Sequence, residues 1–350
     1  MSSEFPRDED LLSRPRPAGT TFDFDAARIH RVRHPGGVPA TRRFLDDLTA
    51  ETPLETAPAE LAGGRTILLK REDVHELGAF KWRGALPVLE GYRASGADAV
   101  VTASTGNHGA ATAWAAGRLG LHALVYAPES ASRTKIGMIE DLGGEVRLIG
   151  ADFDEVKAEA GAFAAAAGLP YFEDGAEPAQ YEGYRAIARE VLAQLEAPAA
   201  AVVVPLGNGA LLGGMSLELA AQAPETLRVG VQSKEAPAMV ESWRAGRAVD
   251  SERAATFADG LAVRVAIPLA VDILRETVSR MLLVSEQELA RAVGAYAKAG
   301  IRVEGAAAAA LAALPQLEDF AEPIVLIVTG KNIDPELWAR AVEHPDSFPP

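Results

Sequence analysis

Leu69-Lys70-Arg71-Glu72-Asp73-Val74-His75-Glu76-Leu77-Gly78-Ala79-Phe80-Lys81-Trp82-Arg83-Gly84-Ala85 sets one lysine, Lys81, between Phe80 and Trp82 immediately before a helix-like run. Burial in apolar company disfavours an ammonium and leaves the free amine that attacks an aldehyde. Lys81 is therefore the leading nucleophile of the chain. A solvated helix face carries the same mixture of Lys, Arg and aromatics, so the reading turns on three further segments.

In Val100-Val101-Thr102-Ala103-Ser104-Thr105-Gly106-Asn107-His108-Gly109 a strand end passes through a polar turn into an alanine-rich helix pattern. Such a turn aims backbone N–H groups and a helix dipole at one point and suits a carboxylate or phosphate; simple capping by Ser104 or Thr105 is the other reading. Ala201-Val202-Val203-Val204-Pro205-Leu206-Gly207-Asn208-Gly209-Ala210-Leu211-Leu212-Gly213-Gly214 is a buried-strand pattern ending in a glycine loop. Its spacing is G-x-G-x-x-x-G, and Gln232 stands where a dinucleotide fold would set an acid for the ribose, so the loop fits a single phosphate better than a nicotinamide dinucleotide. Pro323-Ile324-Val325-Leu326-Ile327-Val328-Thr329-Gly330-Lys331-Asn332 is again a buried strand, ending on the hydroxyl of Thr329, which can meet a ring nitrogen.

Taken in order, these segments resemble the fold-type II pyridoxal-phosphate enzymes, most closely the serine/threonine dehydratase (ammonia-lyase) branch that includes serine racemase. The likeness runs from about Thr52 to Asn332, with Thr256–Val263 and Glu304–Ala307 similar to later motifs. It implies an α/β fold of the tryptophan-synthase-β kind, with two three-layer αβα lobes and mostly parallel sheets. The implied domains are an arm at 1–45, a large cofactor-binding domain at 46–97 plus 177–350, and a small mobile domain at 98–176. By the same resemblance Lys81 would form the Schiff base with pyridoxal 5'-phosphate, and Phe80 would pack on its ring. Gly207, Asn208, Gly209, Ala210 and Leu211 would donate amides to the phosphate, and Thr329 would bond the pyridine nitrogen. Ser104, Thr105, Gly106, Asn107 and His108 would hold the substrate carboxylate, with Asn107 also near the phenolic oxygen and Thr105 as a second catalytic group.

The implied activity is β-elimination of a β-hydroxy amino acid such as L-threonine or L-serine, giving a 2-oxo acid and ammonia. Other fold-type II chemistry, threonine-synthase-like or β-replacement, is the alternative, and a nicotinamide oxidoreductase is a more distant one. Thr105 stands where racemase-like members have serine, so racemisation is not expected. Glu182-Gly183-Tyr184-Arg185 departs from the Ala-Gly-Gln-Gly run of dehydratases, and Lys331 enters the last motif. A substrate with a larger or charged side chain, phenylserine or hydroxyaspartate, would look to Arg185, Lys331 or His75 for contacts.

Composition bounds the partners. The 350-residue chain has a formal net charge of -15, which opposes nucleic-acid and anionic-membrane binding. Its one basic cluster is Arg28, His30, Arg31, Arg33 and His34. The absence of cysteine removes disulfides and thiol chemistry. After Val229-Gly230-Val231 the only acid is Glu235, beside Lys234, so no metal is expected. The N-terminal residues lack the apolar stretch of a signal peptide, and the expectation is a cytoplasmic homodimer or homotetramer. Little sequence follows Thr329, and a regulatory domain is not expected.

Overall fold

A computed structural model describes residues 51–252 and 254–350; the expected arm at 1–45 and the basic cluster Arg28–His34 lie outside the described residues. Nine strands follow in order: β1 (Leu54–Thr56), β2 (Ile67–Arg71), β3 (Ala99–Ala103), β4 (His122–Ala127), β5 (Glu145–Leu148), β6 (Ala201–Pro205), β7 (Leu227–Ser233), β8 (Arg280–Val284) and β9 (Ile324–Val328). They make two sheets, a six-stranded one ordered β1-β2-β9-β6-β7-β8 and a three-stranded one ordered β3-β4-β5. Every pairing is parallel except that of β1 with β2.

Sequence explains the layering. The Val-Ile-Leu runs of β6 and β9 are buried at every position, as strands must be when helices cover both sheet faces. One apolar cluster lies between the large sheet and the helices Glu286–Lys298 and Gly305–Ala312. The alanine run Ala306–Ala310 is a wholly buried helix, its small side chains letting backbone approach sheet. Around β3-β4-β5 a second cluster joins Trp82, Leu86 and Leu89 to Val100, Ala113, Trp114 and Val125. That cluster crosses the expected domain boundary at 97/98, so any motion of 98–176 must slide over apolar contacts.

Topology gathers the strand ends. β2, β6 and β9 are adjacent and parallel, so the chain following each one leaves from the same edge of the sheet. The segment before Lys81 is stitched to the end of β9: Phe80 N donates to Thr329 O at 3.1 Å and Lys331 N to Gly78 O at 2.9 Å. Gly78 has φ +63, and a Cβ there would lie 2.6 Å from Asn332 Oδ1, so this strap requires glycine.

The helix Pro178–Gln194 packs tightly between Trp82–Ala94 and Ala210–Gln222. A Cβ on Gly183 would lie 2.0 Å from Arg83 O, whereas one on Gly91 meets nothing within 4 Å. Gly183→Ala is expected to lower unfolding free energy by about 1–3 kcal/mol or more through overpacking. Gly91→Ala should raise it by about 0.5–1 kcal/mol. Chemical denaturation of the two variants measures both, and a neutral Gly183→Ala contradicts the packing described.

Candidate active site

Four chain turns converge on one cavity of about 680 Å³. Phe80, Lys81, the turn Ser104–His108, Gly207, Asn208, Gly209, Leu211 and Thr329 all line it, so nearly every site residue read from sequence meets there. Ala210 is the exception. Its N–H is held at 3.1 Å by the side-chain oxygen of Asn208, and it does not line the cavity.

Lys81 caps the helix Trp82–Ala94, so successive side chains from it diverge by about a hundred degrees. Its Nζ stands 5.2 Å from the Phe80 ring centroid, and Phe80 in turn lies 5.2 Å from the Tyr184 ring. Trp82 points elsewhere, stacked 4.6 Å from His75 and packed near Trp114. The expected apolar sandwich is therefore half correct. What faces Lys81 instead is a carboxylate: Nζ lies 2.5 Å from Asp174 Oδ2. Asp174 is half-buried, and the loss of solvent alone would raise its pKa, but the Lys81 ammonium beside it holds it well below the usual carboxylate range.

In the turn before the helix Asn107–Leu119, the capping reading is met and amides remain for the anion reading. Ser104 Oγ accepts from Gly106 N at 3.2 Å and Gly109 N at 2.8 Å, as a cap does. Helix geometry still leaves the amides of Asn107 and His108 without an intrahelical acceptor. The His108 ring is turned beneath the turn, with Nε2 3.0 Å from Thr102 Oγ1 and the ring 4.5 Å from Phe172. Burial lowers its pKa, partly offset by Asp174, and it is neutral. Its imidazole is thus committed to the scaffold, and only its amide is left for an anion. Asn107 Nδ2 donates to Glu304 Oε2 at 3.0 Å, while its Oδ1 accepts from Asn332 at 2.8 Å. Glu304 is buried, and that burial raises its pKa despite the Asn107 bond.

The loop after β6 approaches its neighbours closely. A Cβ on Gly207 would lie 2.3 Å from Gly260 O, and Gly209, at φ +95, opens the helix Ala210–Gln222. Across the cavity Thr329 is 2% exposed, and its Oγ1 has no hydrogen-bond partner among the described residues. Such an orphan hydroxyl is costly unless a ligand atom meets it. The residues fit a phosphorylated aromatic ring: a glycine loop at one end, a hydroxyl for a ring nitrogen, Phe80 beside the ring and a lysine amine for an aldehyde.

Asp174 and Gln180 fall in no motif read from the sequence, and Glu304 falls in one to which no role was given; Gln180 Nε2 donates to Asp174 Oδ1 at 2.6 Å. Nor did it foresee that the cavity wall is laced with ion pairs, Lys157 to Glu173 at 2.7 Å and Arg264 to Asp152 at 3.0 Å. The three contacts considered for a charged substrate are not in the cavity lining. Arg185 pairs with Glu218 at 2.7 Å, His75 stacks on Trp82, and Lys331 is exposed. Among the described residues no group of three or more acidic or histidine side chains is arranged to hold a metal ion, and no helix is long and apolar enough to cross a membrane.

Comparison with known proteins agrees with this geometry. Residues 45–330 match the family described as pyridoxal-phosphate dependent enzymes. The L-threonine ammonia-lyase of Geobacter sulfurreducens is 34% identical over 285 residues, 80% of this chain and 71% of that one. The L-threonine ammonia-lyase of Thermotoga maritima is 32% identical over 313 residues, 87% and 77% of the two chains. Among solved structures, the processed form of threonine deaminase isoform 2 from Solanum lycopersicum superposes with a TM-score of 0.80 at 30% identity, covering 88% of this chain and 94% of that one.

The buried histidines make stability depend on pH. Burial lowers the His75 pKa to about 4, and lowers that of His108 as well. Unfolded, each takes up a proton near pH 6.5, so the unfolded state binds more protons below that value and stability falls with pH there. The melting temperature should drop between about pH 7 and pH 5, and His75→Phe, which keeps a ring against Trp82, should shed part of that drop. An unchanged slope in the variant contradicts the assignment.

Proposed function

The chain belongs to the family of pyridoxal-phosphate dependent enzymes, and from that premise we propose that it converts a β-hydroxy amino acid, L-threonine or L-serine, to a 2-oxo acid and ammonia. One observation carries the reading: the unpartnered Thr329 hydroxyl shares a cavity with Lys81. A neutral hydroxyl cannot hold a pyridine nitrogen protonated as a carboxylate would, and this favours prompt loss of a β-substituent over a long-lived carbanion.

Bound pyridoxal phosphate supplies the electron sink that lets the bond between Cα and its hydrogen break. The chain's own residues do the rest. Lys81 Nζ would anchor the cofactor and, as a free amine, would take the proton from Cα. The amides of Gly207, Asn208, Gly209 and Leu211 would hold the phosphate, and Thr329 Oγ1 would meet the ring nitrogen. The turn Ser104–His108 holds the substrate carboxylate through its amides, with Asn107 fixed by Glu304 and Asn332. Thr105 lines the same cavity and would offer a second hydroxyl to the reaction. Closure of residues 98–176 over the rest excludes water from the cavity.

The wall speaks to substrate choice. Asp174, ion-paired with Lys81, and Glu173 both line the cavity, and their charge opposes a substrate carrying a second carboxylate. An uncharged side chain is favoured, which argues against hydroxyaspartate. A cytoplasmic homodimer or homotetramer belongs to the same proposal and rests on the family resemblance alone.

Reconstituted protein is expected to show a visible band near roughly 410 nm that Lys81→Ala abolishes, and to release ammonia from L-threonine or L-serine. Hydroxyaspartate should be turned over at least about tenfold less efficiently, equivalent to 1.4 kcal/mol. Absence of the band in wild-type protein overturns the proposal, and product that appears only with an added nucleophile makes the enzyme a β-replacement catalyst.

Thr329→Val removes the orphan hydroxyl at nearly constant volume. The cofactor-free variant should be more stable by about 1 kcal/mol, while its affinity for pyridoxal phosphate should fall. Stability and affinity moving together in the same direction would count against the pairing of Thr329 with the ring.

A further inference from the structure

Asp174 reaches the cavity from a part of the chain that no motif marks. Tyr171 bridges to Val101, and Phe172 N donates to Val101 O at 2.8 Å, so the chain returns beside β3 and delivers the next residues to the cavity. The two carboxylate oxygens then have separate duties. Oδ1 accepts from Gln180 Nε2 at 2.6 Å and lies 3.7 Å from His108 Nδ1, while Oδ2 is left to Lys81 Nζ at 2.5 Å. Gln180 is itself fixed, fully buried with Oε1 accepting from Gly175 N at 2.7 Å and Nε2 also donating to Tyr184 Oη at 3.1 Å. A carboxylate held this firmly on one oxygen presents the other at a defined place.

Lysine needs such a partner more than most groups. Its ammonium is a point charge on a long flexible stem, and the proposed reaction uses that nitrogen twice, to anchor the cofactor and to take a proton. We propose that Asp174 is a positioning residue for Lys81: Oδ2 fixes the amine in place whenever it is not attached to the cofactor, and its charge keeps the attached nitrogen protonated when it is. This rests on the reading of Lys81 as the cofactor lysine. The other titratable groups facing Lys81 are His108, which is neutral, and Glu304. Glu173 is occupied by Lys157 and Glu304 by Asn107, while Tyr181 and Tyr184 feel the Asp174 charge, so among the described residues Asp174 is the acid ion-paired with Lys81.

The test is a pH titration of the visible band of the reconstituted enzyme, beside kcat and KM for L-threonine, in wild type, Asp174→Asn and Asp174→Glu. The pH at which the band of the protonated form fades should fall by about one unit or more in Asp174→Asn, as expected for losing an opposite charge within a few ångströms. In that variant kcat should drop about tenfold or more with KM within about threefold. Asp174→Glu should restore the wild-type midpoint while keeping part of the kcat loss, because the charge returns one methylene out of place. A folded Asp174→Asn with the wild-type midpoint overturns the proposal, even where its kcat is lower. If Asp174→Asn fails to fold by circular dichroism, a midpoint in Asp174→Glu displaced by more than about one unit overturns it instead. A wild-type protein with no band at all would sink the cofactor reading, a failure distinct from either of these.

Discussion

The position of Lys81 depends on a guanidinium two residues away. Arg83 is buried, with Nε 2.7 Å from Glu72 Oε2, Nη1 2.5 Å from Glu190 Oε1 and Nη2 3.1 Å from Thr52 Oγ1. Lys70 enters the same cluster, 2.6 Å from Glu190 Oε2 and from Thr52 O. Burial alone would lower the Arg83 pKa, but the two carboxylates raise it. Burial outweighs Glu190 for Lys70, whose pKa is lowered. Two cations and two carboxylates thus lie together under the chain that carries Lys81, tying β2, the turn after it, the helix Trp82–Ala94 and the helix Pro178–Gln194 into one unit. Replacing such a cluster by apolar groups can be neutral, whereas stripping one member strands a buried charge at a cost of about 3–5 kcal/mol. The cluster therefore acts less as a source of stability than as a rule that the four elements meet in only one register.

How much of this could be read from the sequence follows from how local each signal is. Lys81, the loop Gly207–Leu211 and Thr329 are each written in a run that contains both a strand and the turn leaving it, and their meeting follows from strands that are parallel and adjacent. Asp174 and Glu304 carry no such signature. They lie 93 residues from Lys81 and 197 from Asn107 respectively, and only the packing of the two sheets brings them to the cavity. The run Glu304-Gly305-Ala306-Ala307 was legible as a motif, but its chemistry was not, because a glutamate before an alanine helix reads equally as a cap. Trp82 was misread for a different reason. Adjacency in sequence suggests adjacency in space, yet at the start of a helix neighbouring side chains fan apart, so Phe80 lines the cavity while Trp82 packs in the cluster around β3-β4-β5. The division at 97/98 was drawn from family analogy, and one apolar cluster spans it.

Charge distribution explains how an acidic protein can hold two anions. Among the described residues, each lysine and arginine lining the cavity has a carboxylate: Lys81 has Asp174, Lys157 has Glu173, and Arg264 has Asp152 and Asp154. Burial lowers the His108 pKa and raises that of Glu304, which disfavours charge on both. A phosphate and a substrate carboxylate must then be met by backbone amides at the starts of Asn107–Leu119 and Ala210–Gln222 rather than by side-chain cations. Such donors are fixed by the fold, carry no counter-ion to displace and cannot swing away, so they select by position and shape. A mobile lysine or arginine at the same points would attract any anion. The same logic bears on Lys81: among the described lysines and arginines of the wall it is the one that the proposed chemistry needs to release, and Asp174 is its carboxylate partner.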